Sequence, residues 1–99
     1  MSFLSTQPEA MTAAGNALRG IGSVMVTQNA VAAPSTTVVV PAAADDVSAL
    51  TATHFAAHAQ LYQMVGAQAA AIHELFVNTL GASAQSYAAT EAANVIAAR

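Results

Sequence analysis

The chain reads as all-α: two helices folded into an antiparallel hairpin that forms half of a larger helical assembly. Three observations carry this. Bulky apolar residues recur at helical spacing in two long stretches, and a short segment bounded by Pro34 and Pro41 separates them. Each stretch also has an apolar arc wider than one neighbouring helix can cover.

The first helix is predicted over residues 7–33. Thr6, followed three residues later by Glu9, has the pattern of a capping box, and Pro8 fits a first turn, where its missing N–H costs no hydrogen bond. Glu9 also complements the positive end of the helix dipole. Met11, Ala14, Leu18, Ile21 and Met25 are spaced 3-4-3-4, like a coiled-coil seam, with Ala10, Ala17, Val24 and Val31 as a flanking stripe. Together they span about 160° of the helical wheel. Gly15, Gly20 and Gly22 weaken the isolated helix by up to ~1 kcal/mol each, which close helix approach would offset. Pro34 is expected to end it.

Residues 34–44 are read as the connection, with Val38, Val39 and Val40 suited to an extended apolar loop. Asp45 and Asp46 fall where carboxylates cap the start of a second helix, predicted over residues 45–80. Its bulky residues, among them Phe55, Leu61, Tyr62, Met64, Val65, Ile72, Leu75 and Phe76, spread over roughly 180°, against the ~100° a surface helix needs. Gly66 is its weak point. From Gly81 onward bulky residues become scarce, so residues 1–81 are assigned to the hairpin and residues 82–99 to a flexible tail with residual helicity. In that tail Tyr87 and Glu91 stand four apart, on one face of any turn that forms.

Composition excludes several functions. A net charge of −3, with Arg19 and Arg99 as the fixed cations, gives no electrostatic footprint for nucleic acid or an anionic membrane. Without cysteine there are no disulfides or thiolate sites. The opening residues lack the basic and apolar regions of a cleavable signal peptide, so the chain either stays inside or leaves by another route. Two uncharged stretches, Gly20–Ala44 and Val47–His73, exceed the ~20 residues that span a bilayer. Pro34 breaks the first, and His54, His58, Gln60, Gln63, Gln68 and His73 interrupt the second.

Candidate chemistry is thin. His54 and His58 share a helical face, but His54-Phe-Ala-Ala-His58 lacks the glutamate of a zinc-protease helix and has no evident third ligand. Both are read as seam residues bonded across the bundle, and His73-Glu74 as a solvated or rim pair. The scattered hydroxyls have no base or glycine-rich elbow, and Tyr62 with Phe76 is read as core or interface rather than a stacking site. No enzyme, metal or cofactor is expected.

Pro8-Glu9, Val40-Pro-Ala-Ala-Ala-Asp45, Val47-Ser-Ala-Leu50 and Tyr87-Ala-Ala-Thr-Glu91, in this order in an alanine-rich chain of this length, resemble the mycobacterial PE family over essentially the whole sequence. The resemblance implies a helical hairpin that completes an elongated four-helix bundle with a PPE-family protein, and export of the pair by a type VII secretion system to the cell envelope or beyond. It also implies that Tyr87 and Glu91 are the export motif, that Thr6, Pro8 and Glu9 form the family motif and cap, and that the secretion machinery and its chaperone are met through the PPE partner. Lacking the long extensions of some members, the chain resembles a minimal PE domain.

The partner surface is assigned to Met11, Leu18, Ile21, Met25, Phe55, Leu61, Tyr62, Val65, Ile72 and Phe76. Sequence alone does not divide these between contacts within the hairpin and contacts with the partner. The alternative is an envelope- or membrane-associated helical protein whose apolar arc meets lipid.

Overall fold

The computed structural model describes residues 4–99. Residues 1–3, part of the segment searched for a leader, lie outside it. Two helices account for nearly all of the described chain: α1, Pro8–Thr37, and α2, Asp46–Ala97, joined by residues 38–45. They pack antiparallel. Gly15 lies against Leu80, Gly22 against His73 and Gly66 against Asn29, so the register is uniform along the pair.

The hairpin is long and thin, 81 × 21 × 17 Å. Its radius of gyration is 22.9 Å, against about 13 Å for a compact chain of this length. The accessible surface is 7589 Å², about 2,400 Å² more than a compact monomer of this mass exposes. Two helices side by side cover only one stripe of each other, and many large apolar side chains are left exposed.

Burial in α2 follows a strict 3-4 alternation. Ala52, Ala56, Ala59, Gln63, Gly66, Ala70, His73, Val77, Leu80 and Ala84 are each buried or half-buried, and they mark the stripe that faces α1. On α1 the matching stripe is Pro8, Met11, Gly15, Leu18, Gly22 and Asn29. A 3.5-residue period keeps one seam in register along two supercoiled helices. Of the predicted α1 seam, Met11 and Leu18 keep their place, while Gly15 and Gly22 take the positions expected of Ala14 and Ile21, which point away with Met25. Glycine leaves room where bulk would not.

Four expectations are corrected. Pro34 does not end α1, which runs on to Thr37. Its ring removes one N–H from the ladder, and the turn beyond it is tied back by the Thr36 hydroxyl donating to the Ala32 carbonyl (2.7 Å) and the Thr37 hydroxyl to the Ala33 carbonyl. The capping box is not formed. Gln7 is the N-cap, with no side-chain cap bond, and its carbonyl accepts from the N–H groups of Ala10 and Met11. Thr6 is drawn elsewhere, to Glu91.

The third correction concerns the tail, which is helical to Ala97 rather than frayed. Residues 82–98 contain no proline and many alanines, the strongest helix former, so scarcity of bulk did not mean scarcity of helix. The fourth concerns the histidines. His54 and His58 are exposed and fall outside the 3-4 stripe, whereas His73 lies on it and bonds across the hairpin.

The start of α2 matches its expectation. The Asp45 side chain accepts from the Ser48 backbone N–H at 2.6 Å. That bond, followed by the one from the Ser48 side chain, holds the Asp45 carboxyl below the usual carboxylate range.

Candidate functional site

The seam that joins the helices is narrow and its side chains are mostly small. The buried apolar residues are Ala52, Ala59, Val77 and Ala84. Two polar contacts, each seated against a glycine, lock the pair. Gly22 is a notch: a Cβ there would lie 2.7 Å from the His73 ring. The space admits the imidazole to the Leu18 carbonyl, with His73 Nε2 at 2.6 Å from that oxygen. Since a carbonyl only accepts, Nε2 carries the proton in this contact.

Asn29 forms the second lock. Its Oδ1 accepts from the Tyr62 hydroxyl and its backbone carbonyl from Gln63 Nε2, both at 3.0 Å. Gly66 lies beneath it, where a Cβ would come within 3.3 Å of Asn29 Nδ2.

The two flanks of the seam differ. On one flank a shallow apolar groove of about 350 Å³ is lined by Ile21, Met25, Val26, Tyr62, Val65 and Ala69 together with the seam residues Gly22, Asn29, Gly66, Ala70 and His73. A second groove, with Phe55, His58, Val39 and Thr36 in its walls, meets it at Tyr62. A spacing of seven carries the same flank on through Ile72 and Phe76, in line with Val65 and Ala69. Val26 also lines the opposite flank, there beside Arg19, Ser23, Thr27, Ala67, Ala71 and Glu74. There Arg19 donates to Asn78 Oδ1.

The assigned partner-surface residues divide on this geometry. Met11 and Leu18 are half-buried in the hairpin's own seam. Ile21, Met25, Phe55, Leu61, Tyr62, Val65, Ile72 and Phe76 are all at least half exposed, with Ile72 at 68%. These side chains stand in and beside the grooves of that flank, and Val24, Val31, Met64 and Leu75 are exposed as well.

Near the other end, Pro8 is half-buried at the first position of α1 and Glu9 is exposed in its first turn. Tyr87 is exposed, and Glu91, one turn further on, accepts a hydrogen bond from the Thr6 hydroxyl at 2.8 Å. The structure thus brings the N-terminal arm to the Tyr87-Glu91 pair, a contact across 85 residues with no local signal in the sequence. Asn29, Gly66 and His73 were missed as locking residues. Their signal was the regular recurrence of small and polar residues, which a search for bulk passes over.

Among the described residues no group of three His, Cys, Asp or Glu side chains is placed to hold a metal ion. Nor is any helix of the described residues long and apolar enough to cross a membrane.

The profile of the PE family matches residues 4–94, which takes in α1, α2 up to Asn94, Thr6 and Glu91. The chain belongs to the PE family. It is similar to PE family protein PE13 of Mycobacterium tuberculosis, 61% identical over 98 residues that cover 99% of each chain. It is 54% identical to PE family protein PE8 and 56% identical to PE-PGRS family protein PE_PGRS33 of the same species, of which it spans 36% and 20%. PE proteins of very different length therefore share this helical unit.

Proposed function

We propose that this chain is the non-catalytic interaction subunit of a PE/PPE heterodimer, exported by a type VII secretion system to the cell envelope or outside the cell. The observation that carries the reading is the exposed apolar flank. A chain that leaves Phe55, Tyr62, Ile72 and Phe76 in water exposes roughly 2,400 Å² beyond a compact monomer, comparable with the ~1,000–2,500 Å² that each partner buries in an obligate interface. Two helices of a PPE-family partner laid along the flank would turn the hairpin into a four-helix bundle.

The rest of the chain suits that role. Its polar groups at the seam are spent on holding α1 and α2 together, as with His73 and Asn29, rather than gathered in a cleft. In this reading Tyr87 and Glu91 form the export motif, and the secretion machinery and its chaperone are met through the PPE partner.

Co-expression with a PPE-family partner tests the pairing. The wild-type chain co-purifies one-to-one, and Ile72→Asp, which sets a charge on the flank without touching the seam, abolishes co-purification. An Ile72→Asp chain that pairs normally would contradict this placement of the interface. For export, Tyr87→Ala leaves the heterodimer intact and stops its secretion. Normal secretion of that variant would remove the motif reading.

A further inference from the structure

Beyond Ala84, α2 runs alone. Residues 85–99 are exposed with one exception, Glu91, and the group that bonds it is Thr6 in the arm preceding α1. No other hydrogen bond among the described residues joins this part of α2 to the rest of the chain through side chains; the Thr90 hydroxyl bonds locally, to the Ser86 carbonyl.

The bond has a directional consequence. Thr6 donates to Oε1 of Glu91 at 2.8 Å, a charge-assisted bond that fixes one carboxylate oxygen. The second oxygen keeps its acceptor capacity. Tyr87, four residues earlier, lies one turn away on the same side of α2 and is free to be touched. A glutamate on a lone exposed helix samples many rotamers, and ordering it opposes any contact that needs it in one place. Here the ordering is done in advance.

We infer that Thr6 is a positioning residue for the export signal: its hydroxyl holds the Glu91 carboxylate in a fixed relation to Tyr87, and so makes the N-terminal arm part of the surface that the secretion machinery reads. This rests on the reading of Tyr87 and Glu91 as the export motif. It goes beyond that reading because nothing in the spacing of the motif calls for a residue 85 positions away.

The test compares secretion of the intact heterodimer from mycobacterial cells, as the ratio of culture filtrate to lysate, for four variants. Thr6→Val keeps the shape and removes the donor; Thr6→Ser keeps the donor. Thr6→Val lowers the secreted fraction by about threefold to tenfold, the range for loss of one typical, partly solvated hydrogen bond. Thr6→Ser restores it, and both variants pair with the partner as wild type does. In the same complexes, amide hydrogen exchange of residues 87–97 quickens in Thr6→Val and not in Thr6→Ser.

Glu91→Ala and Tyr87→Ala separate the two levels. If both are secreted normally, the export-motif reading itself is wrong. If both are blocked while Thr6→Val is secreted as wild type, the motif stands and the role of Thr6 falls. An increase in secretion of Thr6→Val would overturn the inference in the other direction, by showing that the bond masks Glu91 rather than presenting it. Equal loss in Thr6→Val and Thr6→Ser would also overturn it, since the hydroxyl would then be irrelevant.

Discussion

The seam between α1 and α2 and the apolar flank beside it invert the usual distribution of side-chain size. Along the seam lie Gly15, Gly22, Gly66, Ala52, Ala59, Ala70 and Ala84, with Val77 the largest fully apolar group that is buried. On the flank stand Phe55, Tyr62, Ile72 and Phe76, each at least half exposed. In a self-sufficient domain the large side chains would be inside, since burying each contributes ~1.5–3 kcal/mol. The hairpin instead uses small residues to bring two backbones close and hydrogen bonds from His73 and Tyr62 to fix their register. The larger hydrophobic contribution is left for whatever covers the flank.

The comparison can be broken most sharply at Phe76. On the proposed pairing the Phe76 ring, half exposed in the free chain, is fully buried in the one-to-one complex, and Phe76→Ala costs that complex ~3–5 kcal/mol. Thermal melting of the complex reads this. An unchanged melting temperature would place the ring outside the interface.

A smaller effect separates the glycines. At Gly20 a Cβ meets nothing within 4 Å, so Gly20→Ala should stabilise the complex by up to ~1 kcal/mol through helix propensity. Gly22→Ala should fall short of that by about 1 kcal/mol, because the added Cβ displaces His73 from the Leu18 carbonyl. In a His73→Ala background the two glycine substitutions should become alike, a coupling that a double-mutant cycle measures. If Gly22→Ala stabilises as Gly20→Ala does with His73 present, the notch is not a lock.

The smallest effect is at the start of α2. Ser48 holds the Asp45 carboxyl below its ordinary pKa, so folding favours the ionised form. That contribution is fully present above the unfolded pKa of about 4 and is lost as the pH falls through the lower folded value. Asp45→Ala should therefore reduce the melting temperature slightly at pH 7, and the difference should fade in acid. A difference that persisted below the folded pKa would assign Asp45 a role other than capping.

Much of the fold was legible because periodicity survives without context: two helices, their antiparallel pairing and the Asp45 cap follow from spacing and charge alone. Met11 and Leu18 of the predicted seam hold, but Ala14 and Ile21 were each one position off for a physical reason: hydropathy weights alanine and isoleucine above Gly15 and Gly22, so a search for bulk passes over the contact. The tail was underestimated on the same ground, since alanine has little bulk but the strongest helix propensity. Pro34 gave a local signal that tertiary packing and the hydroxyls of Thr36 and Thr37 overrode. The Thr6-Glu91 contact was illegible because each residue had a plausible local role, Thr6 as a cap and Glu91 in a tail motif. Only the register of the hairpin joins them.

The hairpin leaves its own apolar surface uncovered. Light scattering with far-ultraviolet circular dichroism, on the chain expressed alone and with a PPE-family partner, tests it most directly. The expected result is a one-to-one complex of high helicity, against an aggregated or weakly helical chain alone. A monomer that is soluble and stably helical without any partner would contradict it.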